Sequence, residues 1–531
     1  AAHLTAMDAN QVVGFEMNSS KTATSAADTS INLTNGAKII ADKIDSGNGA
    51  VGAFINYGKV SVDKDSAIEV ETQTGNTAND KAVGVYAVNG SEVSNAGTIK
   101  VGGKQSVGIL GMAYRLDNKN QLVVDEFGSK ATNQGKVTIT NTKDITMTGE
   151  NSIGIYAKNN KTGSAVSNHV VSNSGTITVG KSSGTSTAVA IYADKVTVKP
   201  ENGTLKIAEG AVGIYATPKT EVGVANKNLG TIHFTGKNAV GIYLKGTTAD
   251  GDSVLKGNKL TLKQDAGTTT GKIGIFYDLQ NTQTSTVEID SANANNVIAY
   301  YTKNKDLTVK APITLAQGSV GITGTSGKKF TYGDDTNATP YVMTIGKQST
   351  GIYGDSNITL GAKTNVKLQD ESAIGAYATG ANGLITSKGT LTFNKEKSTG
   401  LYAANGAKIV EVAGANSKLD FSAATAKNNT GIYLAGAKWE GRATAYTFDS
   451  DHSKKNIYLF AQGSKNGSTV YSSNLVLKNE FKVSPSGTAS GSNKTIGIYL
   501  DTTVKGGSGS SAYTSNTLDS TATKLLLKKV V

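Results

Sequence analysis

This sequence of 531 residues contains no cysteine, five prolines and one tryptophan, and only 18% of its residues are charged. The absence of cysteine excludes disulfide bonds, thiolate nucleophiles and Cys-ligated metal or iron–sulfur sites. No run approaches the roughly 18 consecutive apolar residues that a membrane-spanning helix needs. The abundant residues are Gly, Thr, Asn, Ser, Val and Ile, which favour strands and turns over helices.

The charge of the chain is basic but dispersed. Its formal net charge at pH 7 is +12, from 53 basic and 41 acidic residues. The lysines are scattered singly rather than gathered in a stripe interleaved with aromatic rings, which is the pattern typical of nucleic-acid binding. We therefore predict a diffuse basic surface and no nucleic-acid partner.

The two ends of the sequence lead to an expectation about its origin. Residues 1–4 show no basic segment followed by an apolar one, as a signal peptide would. Residues 524–531 resemble a strand in mid-structure. We therefore expect the chain to be a piece of a longer protein.

A six-residue word, small–Val–Gly–Ile–Tyr–Ala, recurs along the whole sequence. Counting degenerate copies it occurs 17 times, with Ala190, Ile298 and Asn456 in the glycine position. Of the 16 spacings, seven are 23–25 residues and none is shorter, as expected for coils of fixed circumference with loops of variable length. Clear copies occupy residues 82–87, 152–157, 211–216 and 239–244.

A second word, Asn–x–Gly followed by alternating apolar residues, marks a turn and a strand, as at 95–101 and 173–179. We expect Asn and Gly to serve the turn by tolerating positive φ, and the alternation to bury one face of the strand. Two or three strands in about 23 residues fit one coil of a parallel β-helix and not a propeller blade, which needs about 40 residues. The predicted fold class is all-β: a right-handed parallel β-helix of about 17 coils, continuous over residues 1–531.

The six positions of the first word, called slots one to six, are assigned to faces by period-2 alternation. Slots two, four and six are predicted to point inwards, and the slot-three glycine and slot five outwards, so that the glycine leaves room beside each ring. Slot five is Tyr in 12 copies and Phe in two, Phe54 and Phe276. The rings predict a surface ladder, which either binds a ligand or, as we favour, stabilises the register between coils. Its members are Tyr86, Tyr156, Tyr192, Tyr215, Tyr243, Tyr353, Tyr377, Tyr402, Tyr433 and Tyr499.

Catalytic groups are sparse in the sequence. The histidines fall in different coils without a metal-binding motif: His3, His169, His233 and His452. The carboxylate clusters at 125–126, 250–252 and 334–335 lie in or near predicted loops, where a solvated charge is the ordinary role. We predict no enzymatic activity, no metal site and no cofactor. The alternative is a carbohydrate-active β-helix enzyme, which would gather carboxylates on neighbouring coils.

Recognition is expected in loops inserted between strands, because loops on a rigid scaffold carry most binding residues. Spacing places these inserts at 112–133, 245–257, 324–340 and 464–494. The candidate ligand-binding residues are Tyr114, Arg115 and Phe127 in the first insert, and Trp439 with Arg442, since Trp and Arg are common in interface hot spots. Two alternatives remain open: Trp439 packs beneath a loop, and a degenerate coil fills the first insert.

The Gly-Ile-Tyr-Ala words and Asn–x–Gly–Thr–Ile strands, in a Cys-free chain rich in Lys and Thr, resemble the passenger regions of large autotransporter (type V secretion) adhesins. The resemblance is to the fusobacterial outer-membrane family, which includes the arginine-inhibitable adhesin RadD and a galactose-binding member. It covers essentially the whole chain but supplies no member-specific binding motif, so no functional residue is carried over. It implies a passenger on the bacterial surface, with a signal peptide before it and further passenger and an outer-membrane barrel after it.

The resemblance implies attachment to host cell-surface protein receptors or glycans, and coaggregation with the surfaces of other bacteria. A Cys-free chain suits this role, because no periplasmic disulfide can lock it before it crosses the outer membrane unfolded. Stacked coils also allow folding to proceed from one end as the chain emerges. The alternative to a binding passenger is a structural stalk whose binding tip lies elsewhere.

Overall fold

We describe the chain from a computed structural model. The described residues are 3–6, 12–19, 25, 29–43, 49–72, 80–116, 121, 123, 135–161, 165–267, 270–412, 418–441, 445–448, 451–477, 480–483, 495–505, 517–520 and 525–527. They group into two compact units, Ala1–Gln280 and Asn281–Val531.

In each unit the chain passes repeatedly through three parallel sheets in the same order. The tyrosine sheet contains the six-residue words, the second sheet follows it, and the third sheet completes each coil. Within each sheet, strands pair in parallel with the equivalent strands of neighbouring coils, so that Ile155 lies between Ile109 and Ile191. The predicted parallel β-helix is therefore confirmed.

The strands of the first unit belong to these three sheets. Its tyrosine sheet contains Val13–Asn18, Val51–Asn56, Val83–Val88, Val107–Met112, Ile153–Lys158, Val189–Asp194, Val212–Ala216, Val240–Thr247 and Lys272–Asp278. Its second sheet contains Ser30–Leu33, Lys59–Val62, Glu92–Asn95, Thr138–Asn141, Val170–Asn173, Thr197–Lys199, Glu221–Val222 and Val254–Leu255. Its third sheet contains His3–Ala6, Lys38–Ala41, Ala67–Val70, Thr98–Val101, Asp144–Met147, Thr176–Val179, Thr204–Ile207, Thr231–Phe234 and Lys259–Gln264. A short strand, Gly251–Asp252, pairs antiparallel with Val240–Thr247, and Val166–Asn168 forms a 3-10 turn.

The second unit repeats the arrangement with longer excursions near its end. Its tyrosine sheet contains Val297–Thr302, Val320–Gly324, Thr350–Gly354, Ile374–Thr379, Thr399–Ala404, Thr430–Ala435, Ile457–Asn466 and Ile496–Lys505, with Thr469–Tyr471 antiparallel to Ile457–Asn466. Its second sheet contains Gln283–Ser285, Leu307–Val309, Phe330–Tyr332, Asn357–Leu360, Leu384–Ser387, Lys408–Glu411, Lys438–Gly441, Asn474–Leu477 and Thr517–Ser520. Its third sheet is in two parts: Glu288–Asn293, Ile313–Leu315, Tyr341–Ile345, Thr364–Leu368, Thr390–Phe393 and Lys418–Asp420, then Ala445–Phe448, Glu480–Val483 and Leu525–Leu527. A 3-10 turn spans His452–Lys454.

The interior of each unit is built from aliphatic side chains that repeat at equivalent positions of successive coils. In the first unit, Ile99, Ile145 and Ile177 lie in register on the third sheet and are fully buried. Complete burial of one such side chain contributes about 1.5–3 kcal/mol. Polar side chains enter where slot one begins a strand: Ser106 Oγ accepts from the Ala82 amide, and Ser152 Oγ accepts from the Ser106 amide. The buried backbone groups at this corner are thereby satisfied.

The predicted direction of the slot-three glycine is wrong. A Cβ placed on Gly84 would clash with the carbonyl oxygen of Gly108 and would lie 2.8 Å from Ile99 Cγ2 of the third sheet. The glycine therefore faces the core, and slot two is only partly buried, as at Val83. Glycine at this position allows a bend with close approach of neighbouring backbones, which breaks the simple alternation of faces. Among the described copies of the first unit, Ala190 is the one slot-three residue that is not glycine and therefore carries a Cβ.

Two copies of the word are read in the wrong register from the sequence. Pairing of Tyr300 with Ile322 places Tyr300 in slot four, where it is fully buried, and Tyr301 occupies slot five. Pairing of Phe460 with Tyr433 places Phe460 in slot five, so that Tyr458 lies inside. A tyrosine beside aliphatic residues carries no local signal that distinguishes the two faces.

The asparagine of the second word has a different role from the predicted one. Asn95, Asn141 and Asn173 end strands of the second sheet without positive φ, and their side chains are buried. The Nδ2 of Asn95 donates to Oδ1 of Asn141 at 2.7 Å, and Asn141 donates likewise to Asn173 at 2.8 Å. The repeated asparagine therefore forms an amide ladder between coils, which a single copy of the word does not reveal.

The loops are shorter than the predicted inserts, because some residues of those inserts belong to coils. Val254–Leu255, Phe330–Tyr332 and Asn474–Leu477 are strands of the second sheet. Residues 117–120, 122 and 124–133 of the first insert, and 484–494 of the last, lie outside the described residues. A degenerate coil in the first insert is excluded, since Thr138–Asn141 pairs directly with Glu92–Asn95 of the preceding coil.

Candidate ligand-binding site

The slot-five rings form a continuous aromatic ladder in parts of both units. In the first unit, ring centroids from Tyr156 to Phe276 are 4.8–5.3 Å apart, and neighbouring planes differ by no more than 11°. The parallel in-register strands place equivalent residues of successive coils beside one another, which allows the rings to stack. Tyr86 precedes this run and packs edge-to-face against Phe54 at 5.3 Å.

Stacking leaves most of the ladder without a free aromatic face. A ring lying parallel between two neighbours offers a ligand mainly its edge and its phenolic oxygen. In the second unit the geometry changes at Tyr402, which is parallel to Tyr377 (8°, 4.4 Å) but perpendicular to Tyr433 (86°, 4.8 Å). Beyond that break, Tyr433, Phe460 and Tyr499 stack again. Tyr353 and Tyr499, at the two ends of the second-unit ladder, are its exposed rings, at 41% and 44%.

Burial keeps some phenols of the ladder in the neutral form, because it raises their pKa. Burial raises the pKa of Tyr192 to about 12, with Tyr156 and Asp194 acting in the same direction. Burial also raises the pKa of Tyr402. Tyr192 and Tyr402 therefore act as uncharged hydrogen-bonding groups at neutral pH.

A cleft lies beside the break in the ladder and is formed by two extended strands. Ile457–Asn466 and Ile496–Lys505 continue past slot six, with a register shift between Ala461 and Gly463. The first strand turns at Gly467, which has a φ of +60°, into the hairpin strand Thr469–Tyr471. The hairpin packs over the coil below it, and Tyr471 would meet a Cβ on Gly436 at 2.4 Å. The hairpin therefore forms one wall of the cleft.

The cleft has a volume of about 260 Å³ and a lining of basic, aromatic, small and polar side chains. It is lined by Tyr377, Tyr402, Ala404, Asn405, Ala435, Ser464, Lys465 and Lys505. Lys505 Nζ donates to the phenolic oxygen of Tyr402 at 2.6 Å. The same ammonium lies 5.0 Å from the Tyr402 ring centroid and 5.4 Å from that of Tyr433, within the range of cation–π attraction.

Polar side chains hold the floor of the cleft in place. Ser464 Oγ donates to Oδ1 of Asn405 at 2.9 Å, and Asn405 Nδ2 donates to Thr379 Oγ1 at 3.2 Å. Asn405 has a φ of +53°, a conformation that asparagine tolerates better than most residues. Gln462 Nε2 donates to the Tyr433 hydroxyl behind the cleft. These hydrogen bonds pre-organise an amide and a hydroxyl at the floor.

The electrostatics of the cleft favour an anion. Of its eight described lining residues, two are lysines and none is a carboxylate. Burial raises the pKa of Tyr433, and Tyr402 and Asp501 act in the same direction. Burial raises the pKa of Tyr377, whereas the Lys505 ammonium acts in the opposite direction.

The first insert places Tyr114 and Arg115 differently. Tyr114 is buried, and its backbone amide and carbonyl both hydrogen-bond to the Asn160 side chain. Tyr114, a candidate ligand-binding residue, therefore exposes little of its ring, and its part in binding stays a prediction. Arg115 is half-buried, and its charge acts on the Tyr86 phenol, so it lies beside the ladder. Phe127 lies outside the described residues.

Trp439 is an interior residue and not a surface platform. Its side chain is fully buried, and its Nε1 donates to Oε2 of Glu411 at 2.8 Å. The hydroxyl of Tyr458 donates to the other carboxylate oxygen of Glu411 at 3.1 Å. Trp439 therefore packs inside the second sheet; its burial agrees with the alternative of packing beneath a loop and not with a surface platform. Arg442 lies outside the described residues.

The carboxylates singled out in the sequence are engaged in loops and ion pairs. Asp334 accepts the amides of Thr336 and Asn337, which lowers its pKa to about 2, with Lys310 at 3.1 Å adding to the effect. Asp335 pairs with Lys388 at 2.7 Å.

The second acidic cluster is engaged in the same way. Asp250 lies 3.2 Å from Lys219, and Asp252 accepts the Gln280 amide at 2.7 Å. Asp125 and Glu126 lie outside the described residues. Among the residues that the structure describes, no group of three or more His, Asp or Glu side chains is placed to hold a metal ion.

Sequence reasoning missed Lys465, Lys505, Asn405 and Ser464. A signal exists for Lys505, because Ile498, Leu500 and Val504 share one face of a strand that can continue past slot six. No local sequence pattern indicates that Asn405 and Lys505 line the same cleft.

Comparisons with known proteins identify no relative. No protein-family model matches this sequence, and neither a curated protein nor a solved structure resembles it significantly. Within the described ranges, no helix has the length and hydropathy needed to cross a bilayer.

Proposed function

We propose that this chain is a ligand-binding passenger segment of a bacterial cell-surface adhesin, which attaches to host receptors or glycans and to partner bacteria without chemical turnover. The observation that carries the proposal is the cleft in which Lys465 and Lys505 converge beside the break in the tyrosine ladder. A pre-organised cleft with a few polar groups and aromatic edges is suited to hold a ligand. The resemblance to autotransporter passengers supports the same role.

Under this proposal the β-helix is a rigid scaffold that presents the cleft and the loops. The chain would continue into further passenger and an outer-membrane barrel, which would anchor it to the bacterial surface. The engaged carboxylates at Asp334 and Asp335 favour binding over glycan cleavage, because a glycosidase needs one carboxyl to donate and another to accept or attack.

A structural stalk is the second candidate, and the ladder favours it. Rings from Tyr156 to Phe276 stack face to face, so their contact surface is used between coils. Such a ladder stabilises coil register and needs no ligand. In that case the binding tip would lie elsewhere in the full protein.

Binding by the isolated chain separates the two candidates. The purified chain, immobilised on beads, is expected to retain epithelial cells and partner bacteria, and to bind defined structures on a glycan array. A chain lacking residues 117–133 tests the contribution of the first insert, and its thermal unfolding should match that of the full chain. Failure of the chain to retain any cell or glycan would favour the stalk.

A further inference from the structure

We propose that the cleft lined by Lys465 and Lys505 binds the terminal residue of an anionic saccharide, a pyranose that carries a carboxylate or a sulfate. This inference rests on the proposed function and names the ligand class of that site. It follows from the charge, the size and the hydrogen-bonding groups of the cleft.

The charge of the cleft selects an acidic group. Lys465 and Lys505 come from adjacent, paired strands, and Ser464 lies directly opposite Lys505 in the pairing. Two ammonium groups in a cleft lined by no described carboxylate attract an anion, and each charge-assisted hydrogen bond to it is stronger than a neutral one. Lysine acts as a point charge, so a carboxylate and a sulfate are both accommodated.

The size of the cleft selects a single ring. Its volume of about 260 Å³ lies just below the about 300–1,000 Å³ of sites that enclose drug-sized ligands. One side of it is lined by Ser464 and Lys465 of the hairpin strand Ile457–Asn466. An extended acidic peptide would need a longer groove, whereas one terminal sugar matches this volume.

The remaining lining groups suit a saccharide. Asn405 and Ser464 place an amide and a hydroxyl at the floor, where sugar hydroxyls can exchange hydrogen bonds with them. Tyr377 and Tyr402 supply ring edges and phenolic oxygens for the body of a pyranose. Lys505 already contacts the Tyr402 oxygen at 2.6 Å, so its ammonium is fixed beside the rings before a ligand binds.

The test is a matched series of probes against the full chain. The probes are 3′-sialyllactose, 3′-sulfolactose, lactose and a glutamate-rich peptide, with binding measured by calorimetry and saturation-transfer NMR. One or both anionic sugars should bind at least about tenfold more tightly than lactose, and the preference should fall between about 50 and 500 mM salt. The sialyl and sulfo arms distinguish a carboxylate from a sulfate.

Variants locate the site. Lys505→Met and Lys465→Met should each weaken binding of the anionic sugar at least about tenfold, because each removes one charged donor and keeps most of the side-chain length. Lys395→Met, at an exposed lysine of the same unit outside the cleft, is the matched control and should bind as the unmodified chain does.

The failure of this inference differs from failure of the proposed function. Equal binding of lactose and both anionic sugars, unchanged binding by the lysine variants, or binding of the glutamate-rich peptide alone would overturn the inference. If the chain still retains cells in those cases, the adhesin proposal stands with a different site. A chain that retains no cells and binds no probe overturns both.

Discussion

Lys505 donates a hydrogen bond of 2.6 Å to the phenolic oxygen of Tyr402, although 103 positions separate the two residues in the chain. The contact passes over intervening coils of the ladder, because the strand Ile496–Lys505, like its neighbour Ile457–Asn466, continues past slot six and ends beside Tyr402. It joins the ladder, whose stacked rings stabilise the register between coils, to a cleft whose positive charge suits ligand binding.

Replacement of Lys505 by methionine should leave the fold intact. Lys505 is exposed, and it contacts the rings through one exposed hydrogen bond and cation–π attraction, so the free energy of unfolding should fall by no more than about 1 kcal/mol. Urea unfolding followed by circular dichroism measures the change, with Lys395→Met as the control. A loss of several kcal/mol would show that Lys505 supports the structure rather than a ligand.

Gly84→Ala should destabilise the first unit by about 1–3 kcal/mol, because the new Cβ would press on the Gly108 carbonyl and on Ile99. Hydrogen exchange should show the loss of protection in Val83–Val88 and Val107–Met112. The matched control is Ala190→Gly in the same slot, which removes a Cβ and should cost only about 0.5–1 kcal/mol. Unchanged exchange in Gly84→Ala would mean that the glycine faces open space.

The buried contact of Trp439 with Glu411 predicts the fluorescence of Trp439 and the effect of its replacement on the free energy of unfolding. As the only tryptophan, Trp439 should show blue-shifted emission and little quenching by acrylamide in the native chain. Trp439→Phe removes a hydrogen bond to a buried carboxylate and should lower the free energy of unfolding by about 1.5–3 kcal/mol.

The exposed Tyr499 provides the control for that experiment. Tyr499→Phe removes a phenolic oxygen at the outer end of the ladder and should change the free energy of unfolding by less than about 0.5 kcal/mol. Strong quenching of the native Trp439 emission would contradict its interior position.

His169 predicts a pH dependence of stability. Its side chain is fully buried, and burial, followed by the charges of Lys161 and Lys136, lowers its pKa to about 4 from an ordinary 6.5. The folded state therefore binds fewer protons than the unfolded state between these values, and stability is lost as the pH falls from 6.5 towards 4. The loss should reach about 2 kcal/mol at pH ~4.5.

A comparison of variants separates the contribution of His169 to this pH dependence from that of other groups. Urea unfolding at pH ~7 and ~4.5 should show that His169→Gln loses less stability on acidification than the unmodified chain, by about 2 kcal/mol. His233→Gln, which alters a partly exposed histidine paired with Asp265, is the control. An identical pH dependence in the unmodified chain and His169→Gln would exclude His169 as the titrating group.

The extent of sequence-based prediction is clearest at the aromatic positions. Tyr86, Tyr156 and Tyr402 are placed in slot five by the pattern alone, because their neighbours alternate without ambiguity. Tyr300 and Tyr458 are misplaced, since each stands among apolar residues that fit two registers. Only pairing with the adjacent coil resolves the choice.

The amino-acid sequence by itself determined the coil length, the strands and the parallel β-helix, because hydrophobic periodicity and the minimum repeat spacing are local properties of the chain. The tertiary structure alone decided that the glycines face the core, that Trp439 lies inside, and that Lys505 reaches Tyr402. Each of these depends on the distance between backbones of neighbouring coils or on the length of an extended strand, and neither quantity is encoded in a single repeat.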